Sequence, residues 1–302
     1  MKVLEELKEK YRRFHEWQQQ PYQVKPLSDK EHDCATCGTH YQGNYCPRCG
    51  QSWAVGRYSF KNALLLFLDV WGLGNRGMFC SLRDLLLRPG YMIRDYLRGM
   101  QMAYFPPFKM FFLLVAFSVV VDSGFNIRGE NRFQMAKDDY ASSYTTGVEI
   151  ANDQMNDPKT DAAEKEKAKV AVKTIGLARQ TFEWIQDHQT YFQLLVLLVL
   201  SGPLYLFFRH SPNYPDIRYS EFFVAMVYSN NMMTMVSTAL CLFCVSPAID
   251  SLCVFLALIP LKQLSGYSYK RTILNSILAA LVVFFAFMLL LAIGAAIAAM
   301  VL

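Results

Sequence analysis

Charge is what this sequence has least of. Only 18 % of its 302 residues are Asp, Glu, Lys or Arg, 53 % are hydrophobic, and the mean hydropathy is +0.15. That balance is too apolar for an ordinary soluble domain. Catalytic signatures are missing as well: there is no GxSxG elbow, Walker loop or HExxH helix, and no facing pair of carboxylates in an apolar run. The five histidines, His15, His32, His40, His188 and His210, all fall outside the apolar runs. No reaction is legible, which leaves catalysis open and weighs against an enzyme. The first twenty residues, MKVLEELKEKYRRFHEWQQQ, carry charges where a secretory signal has its apolar core, so export of the N-terminus is not expected.

What is present begins with CATCGTHYQGNYCPRCGQ, residues 34–51. Cys34/Cys37 and Cys46/Cys49 form two CxxCG knuckles, and four thiolates so spaced can close tetrahedrally around one Zn²⁺ at about 2.3 Å per bond. Gly38 and Gly50 stand where the backbone must turn tightly and aim N–H groups at the sulfurs. A pair of disulfides or four free thiols are the alternatives, and disulfide frameworks belong to small secreted domains. His32 and His40 lie close by, but four cysteines already fill a tetrahedron, so both histidines are read as surface or supporting groups. The metal is then structural. Within the ribbon, Arg48 is the one basic side chain besides histidine, too little charge to hold nucleic-acid phosphates.

Ahead of the ribbon, Val3, Leu4, Leu7, Tyr11, Phe14 and Trp17 recur at helical spacing, giving residues 1–31 as an amphipathic helix followed by a linker through Pro21 and Pro26. Its apolar stripe needs a cover: another part of the chain, a second copy, or the membrane surface with Tyr11, Trp17 and Arg12/Arg13 at headgroup level. Residues 58–103 follow the ribbon at 32–53 and read as interfacial or amphipathic helices. Ala63 to Trp71 is too short to cross a bilayer, and a Gly72/Gly74/Gly77 turn leads to a second helix over Met78 to Leu87. Arg83, Arg88, Arg94 and Arg98 run through this region with few acids; they are candidates for an anionic leaflet, against the alternative of a solvated face. Cys80 reads as a small buried apolar residue.

From Leu82 to Phe117 the chain reads LRDLLLRPGYMIRDYLRGMQMAYFPPFKMFFLLVAF. With the preceding ribbon it resembles the bacterial membrane proteins grouped as domain of unknown function 3667. The resemblance rests on Arg88, Pro89, Gly90, Tyr96, Leu97, Gly99, Tyr104, Phe105, Pro107 and Phe108. It implies an N-terminal zinc ribbon, a multi-span membrane domain and a bacterial inner membrane, and no activity. Met100–Ala103 departs from the basic segment expected before the Tyr-Phe pair, which weakens any headgroup grip by charge at that turn.

Residues 104–302 read as the membrane domain, with spans near 104–122, 190–208, 221–245, 248–263 and 272–302 and an external helical loop over 123–189. The expected fold is mainly α: a polytopic α-helical membrane protein of about five spans, four to six being the range. Met1 to Lys109 holds 16 Lys+Arg against 10 Asp+Glu, the loop Asp122 to Thr190 holds 9 against 12, and Arg209, Arg218, Lys262, Lys270 and Arg271 fall on the same side as the N-terminus. The positive-inside rule therefore places the N-terminus and ribbon in the cytoplasm and the C-terminus outside. Asp157 to His188 is strongly helical and reads as a stalk continuing into the second span, with a partner-binding projection as the alternative. Gly202/Pro203 predicts a kink, and the small residues from Gly294 to Ala299 permit the close packing of a homo-oligomer.

Polar residues at membrane depth are candidate sites: Tyr228, Asn230 and Asn231, with Glu221 near the helix start, either as a site or as glue between helices. Cys241, Cys244 and Cys253 read as buried apolar thiols, and Asp250 as a helix-end residue. Two functions fit: a membrane scaffold or regulator whose cytosolic zinc ribbon docks a protein partner, or a small transporter or lipid-handling permease using the polar residues of the third span.

Overall fold

The computed structural model describes residues 2–24, 26–53, 76–157, 161–244, 246 and 248–301. The expected interfacial helix over Ala63 to Trp71 and the Gly72/Gly74 part of the following turn lie outside the described residues. The chain divides into two compact units, Met1–Pro106 and Pro107–Leu302.

In the first unit, α1 (Lys2–Gln19) forms as the sequence spacing predicts and stops ahead of Pro21. Its polar face is internally paired: Lys10 with Glu6 at 2.8 Å, and Arg12 and Arg13 with Glu9 at 2.8 and 3.0 Å. Its apolar stripe is exposed. The ribbon is a two-stranded antiparallel hairpin, β1 (Glu31–Asp33) on β2 (His40–Gln42), with Glu31 opposite Gln42. The linker is bound to the ribbon: the Asn44 side chain accepts from Ser28 N at 3.1 Å and donates to Pro26 O at 3.1 Å. Two helices then meet at a corner. α2 (Arg76–Leu87) ends because Pro89 disfavours the helical conformation for the residue before it, and Arg88 sits at φ −147°. Pro89 then opens α3 (Pro89–Leu97), where its missing N–H has no helical partner to lose. Leu85, Met92 and Ile93 fill the space beneath the corner. Past Gly99, at φ +105°, a short 3₁₀ turn over Gln101–Ala103 delivers Tyr104 in an extended conformation.

In the second unit, α4 (Pro107–Asp122), α7 (Gln189–Phe208) and α8 (Tyr219–Cys241) pack on one another around Phe111, Val115, Leu197 and Val227. Between α4 and α7 the expected loop is largely helical. α5 (Arg132–Asn156) and α6 (Ala162–Asp187) lie side by side, with Tyr140 stacked on Phe182 at 4.2 Å and Gly147 against Ile175, an antiparallel pairing. Only the second of these helices is legible in the sequence. α6 and α7 are separate helices meeting at His188 (φ −119°, ψ 30°), a break where the sequence suggests continuity.

Among the described residues, three helical segments are long and apolar enough to cross a membrane: Gln101–Asp122, Gln189–Phe208 and Tyr269–Leu289. The other two expected spans differ. α8 has the length, but its Tyr, Ser, Asn and Thr residues keep it out of that set. Residues 248–263 break into α9 (Ala248–Cys253), a 3₁₀ turn over Val254–Ala257 and α10 (Leu258–Ser265) before α11 (Tyr269–Val301). Pro203 lies inside α7 as expected.

α10 ends on Gly266 in the left-handed conformation (φ +76°), against the turn that carries Asn213: Asn213 N donates to Ser265 O at 3.1 Å, and Tyr267 Oη donates to His210 O at 3.0 Å. A Cβ at 266 would stand 2.6 Å from the Asn213 side chain. Gly266→Ala should therefore destabilise the second unit by about 1–3 kcal/mol, because strain and clash add. A lower thermal midpoint of the detergent-solubilised protein is the expected readout, and an unchanged midpoint would contradict this account of the turn.

Candidate functional site

The two CxxCG knuckles fold alike. Gly38 N donates to Cys34 O at 2.8 Å and Cys34 N to Thr39 O at 3.0 Å; Gly50 N donates to Cys46 O at 2.9 Å and Cys46 N to Gln51 O at 2.8 Å. Each turn is completed by glycine at positive φ, 68° at Gly38 and 75° at Gly50, which side chains rarely adopt. Backbone N–H groups of Cys37 and Thr36 approach Cys34 Sγ, that of Thr39 approaches Cys37 Sγ, and that of Gln51 approaches Cys49 Sγ. Four sulfurs are thus brought within 4.8 Å of one another. Three of the separations are 3.4 Å (Cys34–Cys49), 3.5 Å (Cys37–Cys49) and 3.6 Å (Cys37–Cys46). These exceed a disulfide bond of about 2.05 Å and approach the spacing of about 3.8 Å that tetrahedral metal–sulfur bonds of about 2.3 Å impose. The donor set can hold a metal ion.

Their acidities show the same crowding. The Thr39 hydroxyl, 3.2 Å away, and the Thr39 N–H draw the Cys37 thiol down to about 6. At Cys49 the Gln51 N–H pulls down, but the Cys34 thiol, burial and the Cys37 and Cys46 thiols push harder, and the group rises to about 12. Four thiolates packed together without a cation repel; an ion at their centre removes that cost. His40 does not turn to the sulfurs. Its Nδ1 lies 2.8 Å from Asp33 Oδ1, and that carboxylate raises its pKa. His32 stacks on Trp53 at 5.0 Å.

The interfacial arginines are redistributed by the structure. Arg88 is only 3 % exposed and faces two carboxylates, Asp84 and Asp95, each 2 % exposed. Its Nε donates to Asp84 Oδ2 at 3.3 Å, its second guanidinium NH₂ to Asp95 Oδ2 at 2.5 Å and to Tyr104 Oη at 3.0 Å, and its first to Gln18 O at 3.1 Å and also to Gln20 O. Arg94 donates to Gln19 O at 3.0 Å, and Gln18 Nε2 to Leu87 O at 2.5 Å. Burial works against the Arg88 charge, and Tyr104, Asp95 and Asp84 outweigh it, so its pKa rises. Arg83 pairs with Asp84 at 2.8 Å from a half-exposed position, and Arg98 is exposed. Arg88 therefore fits neither expected reading, headgroup-facing cation or solvated face, and is the centre of a buried corner. The sequence signal was there: Asp84 lies one helical turn before Arg88, and Asp95 seven residues after it, in an otherwise apolar stretch.

The polar residues of α8 join helices. Asn231, fully buried, donates from Nδ2 to Pro107 O at 3.0 Å, tying α8 to the first turn of α4, and its Oδ1 has no hydrogen-bond partner among the described residues. Asn230 Oδ1 accepts from Gln193 Nε2 on α7 at 3.3 Å, and Tyr219 Oη lies 2.9 Å from Ser201 Oγ on α7. Tyr228 is buried in α8 beside them. Glu221 is not gathered with these: its Oε2 accepts from Arg218 N at 2.8 Å, closing the start of α8. Gln193 was not singled out from the sequence, because a lone glutamine in an apolar run carries no spacing signal. Cys241 and Cys253 are buried as expected, whereas Cys244 is exposed.

Residues 75–119 match the model of a family described as a protein of unknown function, DUF3667, as the sequence resemblance implied. The matched stretch contains Asp84, Arg88, Asp95, Tyr104 and most of α4. No curated protein and no solved structure matches the chain. Arg88→Met would strand two buried carboxylates and uncover the end of α1, and should cost about 3–5 kcal/mol of stability. Arg88→Lys should fail as well, since one ammonium cannot reach five acceptors on four sides. Chemical unfolding in detergent checks both variants; a wild-type midpoint for either would contradict the role given to the corner.

Proposed function

We propose, taking the DUF3667 segment as the premise, that this protein is a membrane-embedded scaffold or regulator. In this reading its N-terminal ribbon holds a structural zinc ion and docks a protein partner on the cytoplasmic face. The observation that carries it is the closed donor set: Cys34, Cys37, Cys46 and Cys49 converge within 4.8 Å, and four thiolates leave a tetrahedral ion no open position for water or substrate. Bound zinc would cross-link the two knuckles and thereby set the shape of the loops between them. Tetrahedral all-sulfur sites suit zinc, and the reduced cytoplasm that the basic side of the topology supports keeps thiols free to bind it. Three helices among the described residues are long and apolar enough to supply the membrane anchor. For contact, the ribbon offers Tyr45 and the Trp53–His32 stack, all outside the metal shell and with both Tyr45 and Trp53 exposed.

Purified protein should carry about one zinc ion per chain by elemental analysis, and Cys46→Ser should abolish it. Affinity purification from membranes should recover a partner that Cys46→Ser loses, and that Tyr45→Ala/Trp53→Ala loses while its zinc content stays intact. Undiminished recovery with the metal-free variant would refute docking by the ribbon. A lasting partner with neither aromatic ring present would move the docking face elsewhere on the ribbon.

A further inference from the structure

We propose that the second unit carries a binding surface for anionic phospholipid headgroups, formed where the α7–α8 and α10–α11 turns meet. The two turns are bonded together: Asn213 N donates to Ser265 O at 3.1 Å, Tyr267 Oη to His210 O at 3.0 Å, and Asn275 Nδ2 to Phe207 O at 3.4 Å. Onto this joint the chain brings Arg209 and Arg218 from one turn and Lys262, Lys270 and Arg271 from the flanks of the other. Among the described residues none of the five is ion-paired. Residues 251–302 contain no Asp or Glu, and residues 209–221 only Asp216 and Glu221, the latter closed onto Arg218 N. Arg271 lies 4.2 Å over the Tyr267 ring and Lys262 4.9 Å over Tyr269, so ring faces hold two of the charges. Three of the cations stand where a helix least favours them. Arg218 is the N-cap of α8, and Lys270 and Arg271 lie in the first turn of α11, at the positive ends of those helix dipoles. An anion at this surface offsets both the dipoles and the mutual repulsion of the cations.

The level of the surface identifies the anion. α7 is a candidate span that ends at Phe208, and a second begins at Tyr269 in α11, so the cations stand at the boundary of two apolar segments of the same unit. Tyr219 and Tyr269, both exposed, add the aromatic residues that favour a headgroup layer. One turn further into each helix the exposed side chains are apolar, Leu206 at 60 % on α7 and Leu274 at 55 % on α11. Cations beside hydrocarbon-facing residues match a phospholipid, phosphate to the one and acyl chain to the other. Protein cover is opposed by charge. Met1 to Lys109, which spans the first unit, holds 16 Lys+Arg against 10 Asp+Glu, and residues 54–75 within it contribute Arg57 and Lys61 against Asp69 alone. A second copy would set like charges against each other. The acidic segment, Asp122 to Thr190, enters α7 at its other end, about 30 Å of helix from Phe208. The source of the anion is therefore the lipid leaflet, and this inference is independent of what the ribbon docks.

The test uses the full chain in nanodiscs of phosphatidylcholine with a minor fraction of phosphatidylglycerol, one or the other lipid carrying bromine on its upper acyl chain. An environment-sensitive fluorescent amino acid is encoded at position 206, beside the surface, or at position 195, an exposed site nearer the other end of α7. At equal mole fraction of brominated lipid, phosphatidylglycerol should quench position 206 at least about threefold more than phosphatidylcholine does, and position 195 to the same extent. Equal quenching by the two lipids at 206 overturns the proposal, and so does the same preference at 195, the mark of enrichment by the whole protein. Arg209→Gln/Lys262→Gln/Arg271→Gln should abolish the preference, whereas Lys165→Gln/Lys167→Gln/Lys173→Gln, which takes the same charge from α6, should keep it. Arg271→Gln alone, which spares the other cations, should lower the preference by about half; full preference in either surface variant would also overturn the proposal. Inorganic phosphate should displace the lipid no better than sodium chloride of equal ionic strength. Displacement by phosphate at a lower ionic strength would make this a site for the free anion and overturn the lipid assignment.

Discussion

A guanidinium removed from water must be compensated locally, and in this protein that compensation joins the end of α1, the α2–α3 corner and the approach to α4. Arg88 is the residue around which the chain turns between α2 and α3, and burying it requires partners on every side. Asp84 comes from the helix before the turn, Asp95 from the helix after it, Tyr104 from the approach to α4, and the backbone carbonyls from the end of α1. Segments some seventy residues apart in sequence are joined at one group. The carbonyls of α1 that lack partners inside the helix are also the acceptors the arginine lacks, so two deficits cancel. Two buried carboxylates exceed one buried guanidinium, and Arg83 and Arg94 at the rim supply the balancing charge.

The second unit handles its polar groups differently. Charge is nearly absent from the packed faces of α4, α7 and α8, and amides and hydroxyls take its place. Each such bond between helices contributes on the order of 1 kcal/mol or less in a membrane, so the seam aligns helices more than it drives their association. Asn231 shows the limit of this arrangement. Its Nδ2 is satisfied by Pro107 O while its Oδ1 has no partner among the described residues, so one atom offsets part of what the other contributes.

How far the sequence could be read depended on how local the physics was. The ribbon was legible because CxxCG places two sulfurs and a left-handed turn within five residues, and both knuckles repeat the same backbone pattern. α1 was legible from the spacing of its apolar residues, and the entry to α4 from the residues shared with DUF3667. Arg88 was legible as a position and misread in role, since its partners Gln18, Gln20 and Tyr104 are remote in sequence and two of them act through carbonyls that any residue carries. α5 fell inside the expected helical loop but was not singled out as a helix, because its Ser, Thr and Asp residues give weak periodicity, and it is supported by packing on α6. Residues 248–263, expected as one span, run as two short helices joined by a 3₁₀ segment and close on Gly266.

The position of Arg88 also bears on how the chain is made. Every group that neutralises it lies before Pro107, where the first long apolar helix begins. Synthesis runs from the N-terminus, and segments fold as they become available. By the time α4 is being translated, every acceptor of the buried Arg88 guanidinium has already been synthesised. The order of residues along the chain thus sets every partner of this buried guanidinium ahead of α4, so the corner can close without any residue of the second unit.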